Sequence, residues 1–94
     1  MDPNAPNLSK AQIERLAFLM EECGELVKAA AKILRHGYVS VGYTNRLDVE
    51  QEMGDVVAAI TLLQMSNDVD VDRIEKRVKE KMISMRPYMH HQGP

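Results

Sequence analysis

One short pattern occurs twice in this chain, as Glu22-Cys23-Gly24-Glu25 and, thirty positions later, as Glu52-Met53-Gly54-Asp55. Each copy places two carboxylates at i and i+3, which on an α-helix share one face a turn apart. If the two segments are helices that pack against each other, their acids converge into a site of four carboxylate donors. Each pair also carries a glycine just before its second acid, where Gly in a helix costs about 1 kcal/mol relative to Ala. The repeated cost suggests a use: without a Cβ, either helix could approach the other, or a ligand's phosphates, closely at the level of the acids.

The rest of the sequence supplies the helices. Ser9-Lys10-Ala11-Gln12 fits a capping box, and from Leu16 the apolar residues recur at spacings of three and four through Leu34, the helical period. Gly37 is a natural stop. A helix over residues 9–36 would be ~42 Å long at 1.5 Å per residue, which predicts a bend or break near its start. Residues 37–46 have no helical period and form a loop long enough to be functional. A second helix starts near Thr44 or Asn45 and ends at Ser66-Asn67-Asp68, with Leu47, Met53, Val56, Val57, Ile60 and Leu63 on one face. Asp70 or Asp72 caps a third, which buries Ile74, Val78, Met82 and Met85 and stops before Pro87. Strand-like alternation is absent, so the expected class is all-α, a helical bundle. The expected organisation is one domain over residues 1–94, with flexible ends at 1–8 and 87–94.

Composition narrows the function classes. A domain of this size buries about 60 to 65% of its unfolded surface, so an oligomer that completes the core is expected. A net charge of -2 lacks the basic excess of a general nucleic-acid binder. Charges interrupt every apolar stretch before the ~20 residues of a membrane span. A single cysteine and no secretory leader point to the cytoplasm.

The acids interrupt stripes that are otherwise apolar, Phe18 and Ala29 on the first helix and Ala59 and Leu62 on the second. Asp48 is the other acid on the second stripe. Two like charges ~4 Å apart repel by about 4 kcal/mol at an effective dielectric near 20, so a cation between them is expected. An all-oxygen donor set selects Mg²⁺, with Mn²⁺ as substitute, over zinc. Magnesium so held commonly completes its shell with substrate phosphates.

Glu21-Glu22-Cys23-Gly24-Glu25-Leu26 followed by Glu52-Met53-Gly54-Asp55 resembles the E-E-x-x-E and E-x-x-D signature of the all-α nucleoside triphosphate pyrophosphohydrolases, the MazG-like family. The likeness covers about Ile13 to Arg86. It implies cleavage of a nucleoside triphosphate to monophosphate and pyrophosphate, with Mg²⁺ bound by Glu22, Glu25, Glu52 and Asp55. It also implies a catalytic place for Glu21 beside the site, orienting a water or a second metal, and a homodimer or homotetramer in which two chains complete each site. Lys28, Lys81 and Arg86 are the candidate phosphate contacts, and Tyr38 and Tyr43 the candidate base contacts.

The phosphoribosyl-ATP pyrophosphohydrolases share the fold type and paired acids. They rank second because Val56-Val57-Ala58-Ala59-Ile60 lacks that family's tyrosine and histidine. A non-enzymatic alternative is a helical oligomerisation module with solvated acids. Cys23, on the apolar stripe without a partner base, is expected to be a buried structural thiol, and the seven methionines are expected to fill helix interfaces.

Overall fold

The structure, a computed structural model, describes residues 7–40 and 43–93, with Ser40 and Tyr43 described through their backbone alone. The expected lead-in over residues 1–8 therefore falls mostly outside the described residues. Helix α1 spans Lys10–His36, strand β1 Val39–Ser40, strand β2 Tyr43–Thr44, helix α2 Asn45–Met65 and helix α3 Val71–Ser84; Arg86–Tyr88 adds one 3-10 turn. The class is all-α.

Helix α1 starts where its capping box sets it. The Ser9 hydroxyl accepts from the Gln12 amide at 3.1 Å, and the Gln12 side-chain oxygen accepts from the Ser9 amide at 2.9 Å. The helix then continues for 27 residues without the expected break. Nothing in the segment forces one, since it contains no proline, and the molecule is elongated enough to carry it, at 55 × 34 × 24 Å. Gly37 ends the helix at φ 82°, a left-handed backbone that suits glycine, and its amide donates to Ile33 O at 2.7 Å.

The long loop is mostly a turn-back. Strands β1 and β2 pair antiparallel, Val39 with Thr44 and Ser40 with Tyr43. Asn45 fastens the closure by donating from Nδ2 to Gly37 O at 2.8 Å, and the Arg46 guanidinium sits 5.0 Å from the Tyr38 ring centroid, within cation–π range. Helix α2 therefore returns antiparallel along α1. At the far end Arg15 grips Asp68 with two hydrogen bonds, Nε to Oδ2 at 2.6 Å and a terminal guanidinium nitrogen to Oδ1 at 3.1 Å. Helix α3 is capped by Asp70, whose Oδ1 accepts from the Arg73 amide at 2.9 Å.

Burial follows a seam of roughly three-and-a-half-residue period on each long helix. On α2 the covered positions include Asn45, Val49, Glu52, Val56, Ala59 and Leu63; on α1 they include Arg15, Phe18, Leu19, Glu22, Leu26, Ala29 and Ile33. Among the described residues, the fully buried apolar side chains are Val49, Ala59 and Leu63. Much of the apolar surface stays open, and several sequence expectations fail for that reason. Cys23 is exposed rather than buried, because only one of the apolar faces of α1 is covered by α2. Met20, Met53, Met65 and Met82 are exposed as well, and on α3 Val78 and Met82 face solvent while Ile74 and Met85 are half-covered. Helix α3 leans little on the α1–α2 pair, so among the described residues its apolar stripe is covered only in part.

Candidate functional site

The first acid of each pair enters the seam because the helical period that places apolar residues there also places Glu22 and Glu52 there. Glu22, Glu52 and Asp55 are half-buried, and one carboxylate oxygen from each lies within 4.8 Å of the others. The antiparallel path brings this about, since Asp55 lies across from the Glu22 turn of α1. Oxygens at these separations can share one cation, and the donor set is of the hard, all-oxygen kind.

Electrostatics in the cluster follow from its burial and its company. Loss of hydration pushes the Glu22 carboxyl above its ordinary range, with Asp55, Glu52, Glu21 and Glu25 adding repulsion in that order. Glu52 is likewise pushed up, first by desolvation, then by Asp55, Glu25 and Asp48, while Lys28 acts in the opposite direction. Without a counterion, both carboxyls hold protons more tightly than a solvated glutamate.

The other predicted residues take different places. Glu25 is more exposed and stands outside the three-oxygen cluster, 4.0 Å from Lys28 Nζ. Glu21 is exposed beside Glu22, and its charge reaches that carboxyl. A groove of about 650 Å³ opens beside the cluster, lined by Glu25, Lys28, Lys32 and Arg35 from α1 and by Asp48, Gln51 and Glu52 from α2, among others. Lys28 is thus at the site. Lys81 and Arg86 are not brought to the groove: Lys81 lies in the last turn of α3, and Arg86 lines a separate cavity with Met82, Met85 and Met89. Tyr38 is engaged with Arg46 and does not line the groove. The Tyr43 side chain lies outside the described residues.

The close approach expected at the glycines is not found. A Cβ built on Gly24 or Gly54 would meet no atom within 4 Å. The two helices pack through their seams, and the glycines point elsewhere. Sequence reasoning missed Arg35 and Gln51. The signal for Arg35 was available, because Lys28, Lys32 and Arg35 follow the first acidic pair at i, i+4 and i+7.

An all-α hairpin with a carboxylate cluster in its seam is the class that fold and site define. Residues 11–90 match the family described as the MazG nucleotide pyrophosphohydrolase domain, and the chain belongs to that family. No curated protein and no solved structure matches it. Among the described residues, no helix is long and apolar enough to cross a membrane.

Proposed function

We propose that this protein hydrolyses nucleoside triphosphates, ribo or deoxy, to the monophosphate and pyrophosphate, with Mg²⁺ as cofactor and Mn²⁺ as a possible substitute. The observation that carries the proposal is the convergence of Glu22, Glu52 and Asp55 in a chain of this family. Water adds to the α-phosphorus and gives up a proton to solvent, the bond from that phosphorus to the α–β bridging oxygen breaks, and pyrophosphate leaves with the electron pair.

Glu22, Glu52 and Asp55 would hold the cation, with Glu25, beside Lys28, as the fourth acid available to it. When bound, the divalent ion neutralises the acids and the phosphate oxygens and makes a water a better nucleophile at neutral pH. Glu21, beside the cluster, orients the attacking water, and Lys28 meets the phosphates. Lys81 and Arg86 serve the site only if α3 of a second copy crosses the groove. Such an arrangement, in a homodimer or homotetramer, would also cover the bare faces of α1 and α3. The setting proposed is cytoplasmic.

The test is release of monophosphate and pyrophosphate from a panel of ribo- and deoxynucleoside triphosphates, with Mg²⁺ present or chelated, for wild type and Glu52→Gln. Metal-dependent release that the substitution abolishes is expected. Cleavage of phosphoribosyl-ATP alone would move the protein to the histidine-pathway reaction. Inactivity on every nucleotide would overturn the proposal and leave a helical oligomerisation module.

A further inference from the structure

Resting on the hydrolase reading, the geometry points to a phosphate track along α1, in which Lys28, Lys32 and Arg35 receive the β- and γ-phosphates and the leaving pyrophosphate lies toward the C-terminal end of that helix. The three cations share one face at i, i+4 and i+7 and span ~10 Å along the axis at 1.5 Å per residue. They begin one turn beyond Glu25 and line the groove that opens from the acidic cluster.

The charge pattern gives the track its dependence on metal. Lys28 lies 4.0 Å from Glu25, and Lys32 Nζ lies 3.7 Å from Asp48 Oδ2 on the facing helix. With Glu52 added, three acids face three bases along the groove. A groove so balanced has no net attraction for a polyanion. At the cluster Glu22 and Asp55 add two negative charges that repel a polyanion, and a divalent cation held there would offset them, leaving Lys28, Lys32 and Arg35 to receive phosphates. Arg35, in the last turn of α1, ends the track with a planar fork suited to a terminal phosphate. Arg35 is thereby the residue that tells a triphosphate from a diphosphate.

A basic residue in a helix's last turn can act on the helix dipole alone, so the test must read ligand binding and not stability. Inorganic pyrophosphate is titrated calorimetrically into wild type, Lys32→Gln, Arg35→Gln and the control Lys10→Gln, each with and without Mg²⁺, with helicity checked by circular dichroism. Loss of one charge-assisted contact is expected to weaken binding about tenfold in the Lys32 and Arg35 variants, with Lys10→Gln like wild type and binding lost without Mg²⁺. In hydrolysis, Arg35→Gln is expected to raise KM for triphosphates about tenfold, to leave kcat little changed and to reduce the preference over diphosphates. Pyrophosphate affinity within about twofold of wild type in both folded variants, or binding indifferent to Mg²⁺, would overturn the track. Because the titration needs no turnover, a wild type that cleaves nothing would sink the hydrolase proposal and still leave the track judged by the binding data.

Discussion

Alanine at Gly54 tests whether the open space around that position exists in solution. Gly54 and Gly24 sit inside helices, neither among the positive-φ glycines, and a Cβ at either would meet no atom within 4 Å. Alanine therefore gains its helix propensity without a clash, about 1 kcal/mol at each site. For a chain of 94 residues, 1 kcal/mol moves Tm by about 4–8 °C, so Gly54→Ala should melt that much higher. The Gly24→Ala/Gly54→Ala pair should melt about 8–16 °C higher if the two sites act independently. The assay is thermal melting followed by far-UV circular dichroism, without nucleotide and at two protein concentrations. A lower Tm for Gly54→Ala would refute the reasoning, because it would mean that a second copy packs against the glycine. A higher Tm together with a collapse of hydrolysis would assign the open space to the substrate.

In Glu52→Gln the amide removes a carboxylate whose ionised form the fold disfavours, so its metal-free Tm should rise. Mg²⁺ at about 100 times its Kd should stabilise wild type by about 2.7 kcal/mol and the variant far less, by melting with and without the ion. Leu63, 3% exposed in the seam, should cost about 2–5 kcal/mol on truncation to alanine, read by urea unfolding. Metal-free stability should peak in mild acid, in melts across the pH range. Asp68 has its carboxyl held below the ordinary 3.8, first by the Arg15 hydrogen bond, so its contribution is complete above that value and lost as pH falls through the lowered one. Glu22 and Glu52, raised above 4.5 by desolvation, contribute below that value and lose the contribution as pH rises through the raised one. Asp68→Asn should lower Tm and abolish the acid limb alone.

What the sequence made legible was local. The Ser9–Gln12 box, the Asp70 cap and the Gly37 stop are fixed by residues within four positions of each other, and each is found as expected. The periodic placement of Glu22 and Glu52 among apolar residues also survives, because a seam of two helices reads the same period. The choice of which apolar face is covered was not legible. Cys23, Val78 and Met82 lie on stripes as good as the one that packs, and the sequence of one chain does not rank them. The Arg15–Asp68 clamp joins residues 53 positions apart, and no pattern within either segment announces it. In the loop, Tyr38 pairs with Arg46 at the hairpin that reverses the chain, a contact that the spacing of the two residues does not announce.

The seam also bears on how much apolar surface a single chain covers. Glu22 and Glu52 occupy positions where the period calls for leucine or valine, and both are strained toward protonation by the burial those positions impose. Two apolar residues there would extend a core that otherwise fully buries only Val49, Ala59 and Leu63 among the described residues. Under the hydrolase proposal, carboxylates in the seam give up apolar packing at the position where a cation would bind, as expected of a site kept for chemistry. On the proposed function, metal and a second copy compensate for separate deficits. The ion relieves the repulsion within the α1–α2 seam, whereas a partner chain covers Val78 and Met82 on α3, which no ion can do. The two contributions are separable, since chelation should lower Tm equally at every protein concentration, while dilution should lower it with the metal still in place.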